Sequence, residues 1–208
     1  MRKKDKTVNF FWTSYSDLMT SLFFIMLVLF ILSIFLMRSR MVANERQIAK
    51  IKEIENAVSN IDKYFFTYSA EFKKHILNTR VEFSVGSSDI QDIPSATLTE
   101  LYDAGNAIVK FINTTTEKYS DSDIRYLLVI EGQASKDNYQ YNYELSYKRA
   151  LSLYQYWIDS GVNFNTEKCE IIIAGSGVKG VPREIVESNN QRFLINILPK
   201  PGVIDLSN

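Results

Sequence analysis

Apolar residues are spread unevenly along the chain. Between Thr7 and Met37 the only charged side chain is Asp17, and Leu18 to Met37 carries none. Twenty apolar-dominated residues rising ~1.5 Å each reach across a hydrocarbon core of ~30 Å. The pattern predicts a membrane helix over residues 12–37, preceded by a short basic tail, 1–11. A secretory leader is the competing reading, but its apolar region is ~7–15 residues long and ends in a small-residue cleavage site. This run is longer and ends in Leu36-Met37-Arg38-Ser39-Arg40, so a retained single-pass anchor is predicted. Arg2, Lys3, Lys4 and Lys6 favour an N-terminus inside; Arg38, Arg40 and Arg46 weaken that bias.

The polar stretch that follows has its own period. Ile51, Ile54, Val58, Ile61, Phe65, Tyr68 and Phe72 are spaced alternately three and four apart, with no Gly or Pro between Arg38 and Arg80. That is a heptad seam, and it predicts a helical, coiled-coil-like linker over 38–80 in which two copies pair. An amphipathic helix lying on its own domain has the same spacing, and the aromatic residues at the end of the seam fit that reading better.

Residues 81–200 alternate between strand and helix signals. Val81-Glu82-Phe83-Ser84-Val85 alternates at period two and stops at Gly86. Ser95 is a candidate cap for a helix over about 96–112, with Leu98, Leu101, Ile108 and Phe111 inside. Further strands are expected at 125–130, 170–174 and 192–198, and a second helix over about 138–160, stopped by Gly161. The order β-α-β-α-β-β predicts an α+β domain with a mixed, helix-covered sheet and right-handed crossovers. Residues 201–208 form a C-terminal tail.

Composition excludes several functions. Lys plus Arg and Asp plus Glu number 24 each, so no basic surface for nucleic acid is expected. The single cysteine, Cys169, excludes an intrachain disulfide and reads as a small packing residue. The single histidine, His75, has no companion at metal-ligand spacing and reads as a solvated or packing residue. The glycines at 175 and 177 lack the third glycine of a dinucleotide fingerprint. No enzyme, cofactor or metal is expected.

Asp17 carries the most chemistry. It sits about one turn inside the apolar segment, where an ionised group costs a few kcal/mol. Trp12 and Tyr15 mark an interfacial belt near this depth, from which a carboxylate reaches water; the other reading is a functional carboxylate facing a protein cavity. The run Phe11-Trp12-Thr13-Ser14-Tyr15-Ser16-Asp17-Leu18-Met19-Thr20, followed by an aromatic-rich helix, resembles the start of MotB-type stator subunits, closest to the ZorB-type subunits of Zorya anti-phage systems. The resemblance implies an ion-driven motor in which two such chains, as a dimer, stand inside a pentamer of MotA/ZorA-like multi-pass subunits. Asp17 is then the ion carrier, of protons or sodium, with Tyr15 and Thr20 beside its path. A neutral carboxylic acid is cheaper than a carboxylate in a low-dielectric site, so burial couples protonation to helix position. One charge moved through 100 mV supplies ~2.3 kcal/mol, enough to bias a rotary step.

A second resemblance covers most of 81–200. Gly132-Gln133-Ala134-Ser135, then Asn142-Tyr143-Glu144-Leu145-Ser146-Tyr147-Lys148-Arg149-Ala150, with Gly161, Pro182 and Asn190-Gln191-Arg192 as later landmarks, is similar to the OmpA-like peptidoglycan-binding domain. It implies a periplasmic domain on an inner-membrane protein whose N-terminus is cytoplasmic, with peptidoglycan as partner. Family members use an aspartate and an arginine to hold the charged groups of diaminopimelate. Arg149 falls on the arginine, and Ser135 stands where the aspartate is expected. Asp137 takes over that charge only if the loop to Asn142, one residue shorter than usual, delivers it. Asn142 and Arg192 complete the expected wall-binding set. A flagellar or gliding-type stator, or a passive wall tether in which Asp17 is incidental, are the alternatives. The bland readings are a surface helix arginine for Arg149 and a helix-capping or turn residue for Asn142.

Overall fold

The structure is a computed structural model and describes residues 10–84, 86–90, 93–120 and 124–200. Chain contacts divide it into two units, 1–50 and 51–208. Residues 1–9 of the basic N-terminal tail, Val85 and the C-terminal tail of the sequence reading lie outside the described residues.

In the first unit the described residues are helical, belonging to α1 (Phe10–Ser59). Every described side chain from Trp12 to Leu36 is exposed, apolar ones included. Among the described residues this is the one helix long and apolar enough to cross a membrane. A helix apolar all round has no polar face to offer water, which fits a lipid or protein surround.

The second unit begins with the C-terminal turns of α1. There follow β1 (Phe66–Ser69), β2 (Lys74–Leu77), α2 (Ser95–Lys118), β3 (Arg125–Gln133), α3 (Asn142–Asp159), β4 (Cys169–Gly177) and β5 (Phe193–Lys200). The five strands form one mixed sheet in the order β1-β2-β5-β3-β4. β3 and β4 run parallel, joined through α3, while β5 lies antiparallel to both β3 and β2. The expected architecture, one long apolar N-terminal helix and then an α+β domain with a mixed sheet, is the one observed.

Alternation along β3 places Tyr126, Leu128 and Ile130 on one face, each fully buried with Leu101 and Ile108 of α2 and Leu153 and Trp157 of α3. Trp157 fixes the two helices to one another. Its Nε1 donates to the Leu101 carbonyl at 2.7 Å, and a Cβ on Gly105 would lie 2.8 Å from its ring. Cys169 is buried in the same core, and desolvation pushes its thiol up to about 11, which leaves an inert packing residue.

Three expectations are corrected. The helical linker does not run to residue 80: α1 ends at Ser59, and the β1–β2 hairpin occupies 66–77. Ile54, Val58 and Ile61 are 2–5% exposed and belong to the core of their own domain, so these three seam residues pack as on an amphipathic helix lying on its own domain. His75 is buried on β2, its Nε2 2.9 Å from the Val58 carbonyl, tying the hairpin to the end of α1. Second, residues 81–84 are not a strand; the strands before α2 are the two of the hairpin, β1 and β2. Third, Ser95 is the first residue of α2 and caps nothing. Pro94 precedes it, and the helix runs six residues past Ile112, to Lys118.

Candidate functional site

α3 must lie directly on the sheet for its N-terminal half to reach the C-terminal ends of β3 and β4. A Cβ at Gly132 would stand 2.0 Å from the Ser146 carbonyl oxygen, and one at Gly175 would stand 2.5 Å from the Tyr147 nitrogen. Glycine at both positions removes the obstacle, and Ser146 Oγ closes the contact by accepting from the Gly177 amide at 2.9 Å. The first residues of α3 are thereby held against the segment that leaves β3, residues 134–141.

That segment carries the expected carboxylate. Asp137 Oδ1 accepts from the Asn142 side-chain amide at 2.6 Å and from the Tyr139 backbone amide at 2.9 Å. The Asn142 amide also donates to the Tyr139 carbonyl at 2.9 Å, so one buried side chain sets the course of the loop. Asp137 itself is exposed. The Asn142 hydrogen bond holds the Asp137 carboxyl below its usual range. Tyr139, Ser135 and the charge of Arg149 act in the same direction.

Arg149, two turns along α3, is only 4% exposed. A surface helix arginine is therefore the wrong description. Its Nε donates to the Ser87 carbonyl at 3.0 Å, and its guanidinium lies over the Phe83 ring at 4.6 Å. Burial works against its charge, and the Asp137 carboxylate opposes that effect. Among the described residues Nη1 and Nη2 have no hydrogen-bond partner. A carboxylate acceptor and a planar donor set together match a ligand that carries an ammonium and a carboxylate close together.

The remaining expected residues divide. Ser135 belongs to this neighbourhood, half-buried, and accepts from Gln191 Nε2 at 3.1 Å. Arg192 does something else. Its Nε donates to Gln133 Oε1 at 3.0 Å, one terminal nitrogen to Glu184 at 2.7 Å and the other to the Pro182 carbonyl at 3.0 Å. Gln133 in turn donates to the Gly180 and Pro182 carbonyls. Arg192 and Gln133 thus brace the loop between β4 and β5, and Arg192 faces a different cavity of about 600 Å³ that Arg80 and Glu184 also line.

In the membrane-helix unit, Asp17 and Tyr15 are exposed, and the Tyr15 ring packs edge-on to Trp12 at 6.3 Å. Thr20 Oγ1 donates to the Ser16 carbonyl at 2.7 Å, which satisfies its hydroxyl inside the helix.

Phe83 and Ser87 were not foreseen as parts of the site. Their contacts to Arg149 cross 62 residues of sequence or more, and no local pattern announces them.

No family model and no curated protein matches the chain. Several solved structures resemble it. The periplasmic domain of MotB is 16% identical over 68% of this chain and 70% of its own, with a TM-score of 0.41. The corresponding domain of Helicobacter pylori MotB is 15% identical, covers 69% of this chain and 92% of its own, and scores 0.38. The peptidoglycan-associated lipoprotein of Burkholderia pseudomallei is 13% identical, covers 58% and 88%, and scores 0.36.

Proposed function

We propose that this chain is the B-type subunit of an ion-driven motor in the bacterial inner membrane. In this reading Asp17 carries a proton or sodium ion, and the domain that begins near Ile51 grips peptidoglycan from the periplasmic side. The N-terminus is cytoplasmic. The observation that carries it is Asp17 itself, the lone charge in an apolar run whose side chains are exposed along the whole span. An ionisable group in such a setting is costly unless a partner surrounds it, and it is a functional group by default. The partner of that chemistry is a multi-pass MotA/ZorA-like subunit, five copies around two copies of this chain. The aromatic run before Asp17 favours a Zorya-like anti-phage complex over a flagellar one.

The wall contact rests on Asp137 and Arg149, which offer complementary charges to one zwitterionic centre of a wall peptide. Asp137 replaces the carboxylate missing at Ser135. A passive tether is the second reading, favoured by the fact that this cluster involves no residue of the apolar helix.

The deciding experiment co-expresses the chain with a MotA/ZorA-like multi-pass subunit and compares wild type with Asp17→Asn. The variant keeps size and hydrogen bonding but cannot titrate. It is expected to co-purify normally and to lose activity completely, read as protection against phage. Full protection by the Asn variant would reduce the chain to a tether.

A further inference from the structure

Next to the charged cluster the surface is unusually aromatic. Tyr139, Tyr141, Tyr143 and Tyr147 are 44–52% exposed, within nine residues around the start of α3. The Tyr139 and Tyr141 rings meet edge to face, centroids 5.7 Å apart. With Glu144 and Lys148 they line a cavity of about 300 Å³. Gly86 and Ser88 form the opposite wall, and the carbonyl between them, on Ser87, is the one that holds Arg149. Tyr139 in turn follows Asp137 by two residues and gives it a backbone hydrogen bond. The cavity therefore adjoins the charged cluster on two sides, through Tyr139 and through the 86–88 segment.

We propose that this cavity holds a sugar ring of the glycan strand that bears the wall peptide. The inference rests on the wall-binding reading above and names a second part of the same polymer as its ligand. A pyranose ring has C–H bonds on its faces and hydroxyls around its rim. Tyrosine matches it, with an apolar ring face, a polar tip and little rotamer entropy to lose. The rim finds partners in Glu144 and Lys148, an ion pair at 2.7 Å in which both side chains are more than half exposed, presenting an acceptor and a donor side by side. The volume is at the lower end for ligand cavities and suits one ring, not an extended chain. Gly86 leaves the wall open, since nothing lies within 4 Å of where its Cβ would be. The sugar and the peptide are covalently joined in the polymer, so occupancy of one site raises the effective concentration at the other.

The test uses the full chain in detergent and two soluble probes: a disaccharide-linked wall peptide ending in diaminopimelate, and the same peptide without sugar. Wild type is expected to bind the first about tenfold more tightly than the second. Tyr139→Ala with Tyr141→Ala is expected to erase that ratio, and Tyr141→Ala alone to reduce it while leaving the sugar-free peptide unchanged, which also reports an intact fold. Tyr139→Phe with Tyr141→Phe is expected to keep most of the ratio. Equal binding of both probes by wild type, or a ratio that survives loss of both tyrosine rings, overturns the sugar site while the peptide reading stands. Binding of neither probe overturns the wall reading and the sugar site together. Unchanged probe binding alongside loss of co-purification with a protein partner assigns the tyrosines to protein contact and overturns the proposal.

Discussion

The Asn142 side-chain amide donates to Asp137 Oδ1 at 2.6 Å, five residues upstream, and so fixes a carboxylate within the electrostatic reach of Arg149. Asn142 is buried and Asp137 exposed, so the first positions the second for something outside the fold.

Removal of either charge is expected to weaken wall binding. A charge-assisted contact contributes ~1.5–3 kcal/mol, and ~1.4 kcal/mol corresponds to one decade. Arg149→Ala and Asp137→Ala are each expected to lower affinity for purified sacculi by about ten- to a hundredfold in a sedimentation assay. Asn142→Ala is expected to weaken binding by a smaller factor, because it loosens the Asp137 loop without removing a charge. An unaffected Arg149→Ala variant would move the site elsewhere.

Ser135→Asp is the informative gain-of-charge variant. If Asp137 already supplies the carboxylate, a second one beside it adds repulsion more than affinity. The expected change in sacculus binding is less than about threefold. A gain of a decade or more would show that the carboxylate site was vacant.

Gly132→Ala tests the seating of α3. A Cβ there would stand 2.0 Å from the Ser146 carbonyl oxygen, a backbone atom that cannot turn away. Overpacking of this kind costs ~3 kcal/mol or more, which lowers Tm by roughly 6–12 °C for a domain of this size. Thermal unfolding followed by circular dichroism checks it, and wall binding is expected to fall with it.

His75 predicts a pH dependence of stability. Burial lowers its pKa below the usual value of 6.5, an effect partly offset by the Val58 carbonyl. The unfolded chain therefore binds the proton first as pH falls. Stability is expected to decline below about pH 6.5 and to level off once the folded-state pKa is passed. The difference between wild type and His75→Gln, measured as Tm between pH 7.5 and 5, isolates this slope. A parallel pair of curves would mean that His75 does not titrate differently in the two states.

Much of the fold was legible because periodicity reports burial locally. Leu101 and Ile108 on α2, and the alternation through Tyr126, Leu128 and Ile130, gave helix and strand correctly. The misreadings of the linker share one cause. Ile54, Val58 and Ile61 repeat at heptad spacing, but spacing says that a face is buried and not what buries it. The hairpin at 66–77 was missed because Phe65, Tyr68 and Phe72 continued that spacing with aromatic residues that also favour strands. Arg149 and Asp137 were named from sequence, yet their relation depends on the course of the loop after β3, which the Asn142 hydrogen bonds set.

The burial of the last turns of α1 also decides where the protein can be cut. A fragment beginning at residue 81 would discard Ile54, Val58, Ile61, Phe66 and Leu77, all 2–5% exposed in the core, together with His75. Each such side chain contributes ~1.5–3 kcal/mol by its burial, against a net stability of ~5–15 kcal/mol for a whole domain. Limited proteolysis is therefore expected to stop close to Ile51, and a soluble fragment made for crystallisation or ligand titration has to start at or before that residue to fold.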